Sequence, residues 1–225
     1  MPFTLTRDRL ITHLALAGLT AFAYFLATLY APTAFLPYRM TISMGYLSLL
    51  LMGVTLAIGT LNLLFARRNP VNIFVRRDIG IWAGITGILH VLYAMTINNR
   101  DDLLANFFRW TPDGYKLMTG TRGTSNYVGL VATLILLMLL ATSNHYFLRR
   151  FKGKKWKTIQ RWNYALIVLT VIHTLLYQEI SRREGYFYTL TVIGIGFVVV
   201  AQVVGVGMTL YRRTHHRRTG NVLSH

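Results

Sequence analysis

Long apolar runs alternate with short polar segments along the chain, and this pattern predicts membrane helices. A helix that crosses the hydrocarbon core of a bilayer needs about 20 apolar residues. Six segments qualify, of which the fifth is the shortest: approximately residues 10–30, 40–65, 79–97, 127–148, 162–178 and 186–211. We therefore expect one all-α domain over residues 1–225, folded as an integral membrane bundle of six transmembrane helices.

The basic residues are distributed unevenly between the two sides of this predicted bundle. Of the 24 lysines and arginines, 17 fall on the side that holds both termini and 7 fall on the other side. Because cytoplasmic loops of membrane proteins are enriched in lysine and arginine, both termini are expected in the cytoplasm.

Composition excludes several classes of protein. Hydrophobic residues make up 53% of the chain and charged residues 14%, with a net charge of +17. A soluble domain carries about 25% charged residues. The basic residues cluster between apolar runs instead of covering a polar fold, so we expect no nucleic-acid partner. The chain has no cysteine, which excludes disulfides, thiolate iron–sulfur sites and covalent c-type haem.

Two histidines lie deep within predicted helices: His90 on the third and His173 on the fifth. Both helices run outward, which puts the two residues about 20 and about 18 Å above the cytoplasmic face. Ionisable residues at such depth usually mark functional sites. Two neutral imidazoles at one depth can provide both axial nitrogens for a b-type haem. The competing interpretation is a redox-inert pair, bonded to neighbouring backbone or to hydroxyl groups such as those of Thr86 or Thr170.

A stripe of glycines precedes the first of these histidines on the third helix. Gly80, Gly84 and Gly87 share one face of that helix, and Gly87 is about one turn from His90. The stripe either leaves room for the face of a porphyrin or allows close packing of two helices through small residues.

The longest connection, residues 98–126, lies on the outer side. Its Pro and Asp-Gly positions predict turns. The segment LLANFFRW predicts a short interfacial helix with Phe107, Phe108 and Trp110 facing the lipid headgroups. The connection suits a docking surface for an external oxidoreductase, and the alternative is an aromatic anchor in the bilayer interface.

A series of motifs from the third to the fifth helix resembles a known superfamily. The motifs are RRDIGIWAGITGILH, LLATSNHYFLRR and KKWKTIQRWNYALIVLTVIH. They are similar to the ferric-reductase-like transmembrane domain superfamily, and closest to the haem-binding membrane subunits of the MsrQ/YedZ type. The resemblance implies a six-helix protein of the bacterial cytoplasmic (inner) membrane that passes electrons through b-type haem. It also implies that His90 and His173 are the axial ligands of the outer haem iron.

The sequence departs from its relatives in the inner half of these two helices. Many relatives hold a second haem there through two more histidines, whereas this chain has Arg76, Arg77 and Gln160. We therefore expect one haem, and a flavin (FMN or FAD) or a quinone to carry electrons across the inner half. Arginines can donate hydrogen bonds to a phosphate or a quinone oxygen, and tryptophans can stack on a flat ring. The candidate residues are Arg76, Arg77, Trp82, Gln160, Arg161 and Trp162.

Two alternatives remain for this inner half. The arginines and tryptophans can equally be snorkelling side chains and an aromatic belt at the interface. A second haem between His13 and His145, both near the cytoplasmic ends of their helices, is the weaker alternative.

Together these observations predict a membrane electron-transfer subunit. The donor is a quinol or a separate cytoplasmic flavin reductase, for which the basic segment 149–161 is a landing site. The acceptor is a periplasmic oxidoreductase docked on residues 98–126. A second candidate is direct reduction of ferric iron or oxygen, and a third is a non-redox scaffold or transporter. Transport is disfavoured because the acidic residues Asp78 and Glu179 are expected at helix ends, away from the membrane interior.

Overall fold

The computed structural model describes residues 7–64, 73–98, 102–181 and 186–222. The described residues form eight α-helices: α1 (Arg7–Tyr30), α2 (Leu36–Leu64), α3 (Ile73–Asn98), α4 (Gly120–Thr142), α5 (His145–Arg150), α6 (Lys152–Gln160), α7 (Trp162–Ser181) and α8 (Tyr186–Val222). Between α3 and α4 lie a 3-10 turn (Leu103–Asn106) and two strands, β1 (Phe108–Thr111) and β2 (Gly114–Leu117). The architecture is an all-α bundle with one small hairpin.

Five of the described helices, α1 to α4 and α8, are long and apolar enough to cross a membrane. Their outward faces carry large apolar side chains with no protein neighbour to cover them, such as Leu14, Leu134 and Phe197, which are 60–63% exposed. Lipid tails are the environment in which such a surface is stable. The fifth predicted span, residues 162–178, corresponds to α7, which has 20 residues and is not among these five helices.

Helix α2 is the centre of the bundle. It packs against α1, α3 and α8, while α4 packs mainly against α7. Over the apolar stretch of α2, 56% of the residues are buried, compared with 11% in α1. Leu47, Leu51 and Leu56 of α2 meet Leu136 of α4 and Leu166 of α7 in the core. The result is a four-helix arrangement of α2, α3, α4 and α7, with α1 and α8 packed outside it.

The fourth helix differs from the prediction at both ends. It was expected over 127–148, but it begins at Gly120 and ends at Thr142. Asn144 then starts α5, because its side chain accepts a hydrogen bond from the backbone N–H of Phe147 at 3.0 Å. An asparagine in this capping position satisfies an N–H that the new helix leaves unpaired. The predicted basic loop 149–161 therefore belongs mostly to the short helices α5 and α6.

The predicted interfacial helix in LLANFFRW is reduced to the 3-10 turn Leu103–Asn106, and the second half of the segment is wrong because it forms a hairpin. Strands β1 and β2 pair antiparallel, with Trp110 opposite Tyr115. Pro112 and Asp113 make the turn, and Gly114 follows with a φ of +108°, which glycine adopts without strain. Alternation places the aromatic pair on one face of the hairpin. Trp110 is 68% exposed and Tyr115 is 63% exposed, so this face is uncovered.

Candidate functional site

His90 on α3 and His173 on α7 face each other in the half of the bundle that carries the hairpin, which is named the outer half after the predicted orientation. Their ring centroids are 6.2 Å apart, and the ring planes are perpendicular, at 89°. Both rings line a cavity of about 480 Å³ enclosed mainly by α2, α3, α4 and α7. Ligand cavities in proteins typically measure about 300–1,000 Å³, so the space suits a small organic molecule. The two histidines, predicted from the sequence to lie at the same depth, are therefore neighbours in the structure.

Each imidazole is fixed by a carbonyl group on the neighbouring helix. His90 Nδ1 donates to the Thr41 carbonyl oxygen on α2 at 2.8 Å, and His173 Nδ1 donates to the Ser125 carbonyl oxygen on α4 at 2.9 Å. A carbonyl oxygen can only accept, so the proton of each neutral ring must be on Nδ1. The lone pair is then on Nε2, which is the usual state of a histidine that binds a metal. The hydroxyl groups of Thr86 and Thr170, expected as possible partners, instead bond backbone carbonyls of their own helices.

Two glycines that sequence reasoning missed give the rings their space. A Cβ on Gly45 of α2 would lie 2.6 Å from His90 Nδ1, and a Cβ on Gly129 of α4 would lie 2.8 Å from His173 Nδ1. Either contact is too short for a real side chain, so both positions require glycine while the rings stay where they are. The sequence alone does not reveal this, because the requirement comes from a histidine on another helix.

The glycine stripe on α3 serves helix packing. A Cβ on Gly84 would lie 3.1 Å from Leu140 of α4, and a Cβ on Gly87 would lie 2.8 Å from Leu136. Gly80 has only an ordinary contact, with Thr55 at 3.8 Å. Gly87 also lines the cavity, so this glycine both allows close helix packing and leaves room for a ligand.

The chemistry open to this pair is the binding of one metal centre from two sides. Metal–imidazole bonds are about 2 Å long, so two imidazoles facing each other across one ion have centroids about 6 Å apart. The observed 6.2 Å fits that geometry. Among the described residues no group of three or more histidine, aspartate or glutamate side chains could hold a metal ion. A cofactor such as a flat ring of four nitrogens could supply the remaining ligands of an ion held between the two imidazoles.

A polar chain links the His173 ring to the outer hairpin. The Tyr177 ring lies 5.0 Å from the His173 ring, and the Tyr177 hydroxyl donates to Asn126 Oδ1 at 2.6 Å. Asn126 Nδ2 in turn donates to the backbone carbonyl of Asn106 at 2.6 Å, just before β1. The base of the hairpin is therefore tied to both helices that carry or fix His173.

The inner half of the bundle contains a second histidine environment, and it corrects the expectation that Asp78 lies at a helix end. Asp78 is fully buried, and its two carboxylate oxygens accept hydrogen bonds from Arg9 Nε at 2.9 Å and from a terminal guanidinium nitrogen at 2.8 Å. His13 Nε2 lies 3.7 Å from the same carboxylate, and His13 Nδ1 accepts from Trp82 Nε1 at 3.0 Å. α3 begins at Ile73, so Asp78 is more than one turn inside it.

In this environment a neutral His13 has no ring nitrogen with a free lone pair that could bind a metal. The indole N–H of Trp82 can only donate, so Nδ1 of a neutral His13 holds the lone pair and Nε2 carries the proton, toward Asp78. His145, the other candidate for a second haem, has a side chain outside the described residues.

The other residues predicted for the inner half have separate neighbours. Arg76 Nε donates to the Thr55 carbonyl oxygen of α2 at 3.1 Å, and Gln160 Nε2 donates to Thr142 Oγ1 of α4 at 3.3 Å.

Trp162 is 52% exposed, and Arg161 is exposed at the end of α6. Trp82 is bonded to His13 as described, and Arg77 lies on α3 beside Arg76. These contacts do not gather the six residues into one pocket, and the inner carrier stays a prediction.

Comparison with known proteins identifies the family of the chain. A family described as the ferric reductase like transmembrane component matches residues 44–171, more than half of the chain. The chain belongs to this family. The matched segment includes His90 and ends just before His173, and the family together with the apolar helices makes the chain a multi-pass membrane protein.

Individual relatives share the same resemblance. The chain is similar to proteins named protein-methionine-sulfoxide reductase heme-binding subunit MsrQ. It is 29% identical to the Azospira oryzae protein over 57% of this chain and 52% of that protein. Identity is 29% with the Rhodospirillum rubrum protein, over 50% of each chain, and 28% with the Enterobacter sp. protein, over 57% and 59%. The chain thus spans about half the length of the curated relatives it matches.

Proposed function

We propose that this protein transfers electrons across the membrane through one b-type haem bound between His90 and His173. Electrons enter from a donor on the cytoplasmic side and leave to an acceptor on the outer side. The family and the haem-binding relatives support this class of function. The observation that carries the proposal is the pair of imidazoles, each with Nδ1 held by a carbonyl oxygen and Nε2 left with its lone pair.

The protein's own part is binding, orientation and burial. His90 and His173 would be the axial ligands, and the haem, when bound, supplies one-electron redox chemistry. The Thr41 and Ser125 carbonyls hold the ring orientations and make the imidazoles better electron donors to a metal. Apolar side chains such as Leu136 and Leu166 line the inner end of the cavity and exclude water.

The first experiment is a visible spectrum of the purified protein, oxidised and dithionite-reduced, with haem quantified per chain. A low-spin b-type spectrum at about one haem per chain is expected. Protein expressed with ample haem supply that still contains none would overturn the electron-transfer proposal and favour the scaffold or transporter.

For the topology we propose six spans, with α7 as the fifth, and both termini in the cytoplasm. The basic helices α5 and α6 then face the cytoplasm and the hairpin faces outward. The chain has no cysteine, so single cysteine substitutions report position without background. In intact bacteria, a membrane-impermeant maleimide should label Trp110→Cys, whereas Lys157→Cys should react only after permeabilisation. The reverse pattern would contradict the orientation.

The proposed donor is a quinol or a reduced flavin brought by a separate reductase. The support is electrostatic: α5 and α6 form a basic segment, with Arg149, Arg150, Lys155 and Lys157 all exposed. Such a surface attracts an acidic partner at a rate that falls with ionic strength. We expect haem reduction by a flavin reductase to slow with added salt, and reduction by a lipid-soluble quinol to be nearly independent of salt.

The proposed acceptor is a protein-methionine-sulfoxide reductase that docks on the outer hairpin. The relatives' name suggests that acceptor, and the uncovered Trp110–Tyr115 face offers the surface. Replacing Phe108–Leu117 with a short Gly-Ser turn should abolish electron transfer to such an acceptor and leave the haem spectrum unchanged. If the haem instead reduces ferric iron or oxygen directly, the same deletion should leave the rate of reoxidation almost unaffected.

A further inference from the structure

The cavity between His90 and His173 is polar at one end and apolar at the other. Toward the cytoplasmic side its wall is mainly apolar, with Met52, Leu136 and Leu166 beside the hydroxyl-bearing Ser48 and Thr170, whose hydroxyls bond backbone carbonyls. Toward the outer side the wall contains the polar residues Tyr38, Asn106, Arg122, Asn126, Tyr177 and Gln178. A ligand that fills this space therefore needs an apolar body and a polar outer edge.

Arg122 is the one charged side chain among the described residues that line this cavity. It lies in the first turn of α4, one helical turn before Asn126, so the two side chains share a face. Among the described residues, no acidic one lines the cavity and none forms an ion pair with Arg122. The positive charge at the mouth thus has no anionic partner from the described part of the protein.

Neighbouring groups have hydrogen-bonding capacity to spare. The Asn126 amide oxygen accepts from the Tyr177 hydroxyl, and its NH₂ group donates one hydrogen to the Asn106 carbonyl. The second hydrogen of this NH₂ group is left to donate to a ligand. Thr41 Oγ1 is buried, lines the cavity and has no hydrogen-bond partner among the described residues, so this hydroxyl can donate to an acceptor on a ligand. Buried polar groups are normally satisfied, so these point to a polar ligand that completes them.

We propose that Arg122, assisted by Asn126, binds the propionate carboxylates of the haem at the outer mouth of the cavity. The inference rests on the proposed function, because it takes the ligand to be a haem. Guanidinium groups bind carboxylates strongly through charge-assisted, often paired hydrogen bonds. The apolar wall near Leu136 and Leu166 correspondingly receives the apolar edge of the macrocycle.

This orientation gives Arg122 a role in the route of the electron. Asn106 and Phe107, which line the same mouth, are the residues directly before β1. The carboxylate edge is therefore placed next to the base of the hairpin, which is where the proposed acceptor docks. Arg122 is a positioning residue in this scheme, because it holds the cofactor and does not ligate the iron.

The test compares two probes, iron protoporphyrin IX and its dimethyl ester, in which both carboxylates are blocked. Each is titrated into haem-depleted full-length protein in detergent, and binding is followed by the low-spin spectrum. The wild-type protein should bind the ester about three- to tenfold more weakly, a modest factor because Arg122 is exposed. In Arg122→Gln this difference should disappear, since the group that senses the carboxylates is gone.

Two control variants keep the result interpretable. Arg122→Lys retains the charge and should retain most of the discrimination, which excludes a folding defect as the cause. Arg109→Gln removes an exposed arginine of the hairpin that does not line the cavity, and it should discriminate like the wild type. The propionate site would be overturned if Arg122→Gln still distinguished the two probes as the wild type does. It would also be overturned if the wild type bound both probes equally, and the partner of Arg122 would then be a lipid phosphate. Failure of the wild type to bind either probe would instead overturn the proposed function itself.

Discussion

The two histidine environments of this bundle differ in which ring nitrogen is left with a lone pair. In the outer half, His90 and His173 give Nδ1–H to carbonyl oxygens, and both rings border a cavity. In the inner half, His13 accepts from Trp82 and directs Nε2 toward the buried Asp78. The imidazoles of His90 and His173 therefore have an Nε2 lone pair that can bind a metal. Both ring nitrogens of His13 instead contact neighbouring side chains. We therefore expect the hydrogen-bond partner of each histidine, more than its depth in the membrane, to decide its role.

The strongest test of this difference is removal of each imidazole. We expect His90→Ala and His173→Ala each to abolish the low-spin haem spectrum, because one axial nitrogen is lost. His13→Ala is the matched control and should keep about the full haem content. Haem content per chain, measured by pyridine haemochrome, decides the question. Loss of haem in His13→Ala alone would mean that the tautomer argument assigns the ligands to the wrong region.

The inner network should matter for stability and not for haem. Asp78→Asn places a neutral amide opposite Arg9, whose side chain is 14% exposed, and the loss of a charge-assisted hydrogen bond typically costs about 1.5–3 kcal/mol. We expect a large drop in the thermal unfolding temperature in detergent, with an unchanged haem spectrum in the protein that remains folded. The double variant Arg9→Met/Asp78→Asn removes both charges and should recover much of the loss. A stable Asp78→Asn protein without haem would contradict the structural role.

Sequence reasoning located the outer site because depth along a helix is readable from the sequence. The spacing from the flanking arginines placed His90 and His173 at one level, and their rings are in fact neighbours; their role as ligands remains a prediction. The membrane helices were recognisable for the same reason, since apolar length and periodicity are local properties.

The features that the sequence concealed depend on contacts between distant segments. Arg9 and Asp78 are 69 positions apart, so nothing local indicated that a carboxylate near a helix end would be fully buried. Gly45 and Gly129 likewise matter only because a ring from another helix approaches them. The hairpin is different: the alternation in Phe108–Thr111 and the Thr-Pro-Asp-Gly turn were visible, but the aromatic content favoured an interfacial helix instead.

Crowding the outer rings should have a smaller effect than deleting them. In Gly129→Ala the new Cβ would lie 2.8 Å from His173 Nδ1, so the ring must leave its carbonyl partner or the helices must separate. Overpacking of this kind costs about 1–3 kcal/mol, and we expect haem affinity to fall about tenfold or more. Gly80→Ala is the control on α3, where the nearest atom is 3.8 Å away, and haem titration should not distinguish it from the wild type. Equal effects of the two variants would disprove the steric argument.

The smallest expected effect comes from the second hydrogen-bonding group beside His173. Ser125→Ala keeps the carbonyl that holds Nδ1 and removes only the hydroxyl, which is 3.3 Å from Nδ1. A ring with one acceptor fewer donates less charge to the iron, which favours the reduced state. We expect full haem content and a midpoint potential raised by no more than about 30 mV, since a single hydrogen bond contributes little. Thr86→Val removes another fully buried hydroxyl, one bonded to the Trp82 carbonyl, and spectroelectrochemical titration should find its potential unchanged. A lowered potential in Ser125→Ala would mean that the hydroxyl acts on the ring in the opposite sense, as a donor, and that Nδ1 of His173 is not the protonated nitrogen.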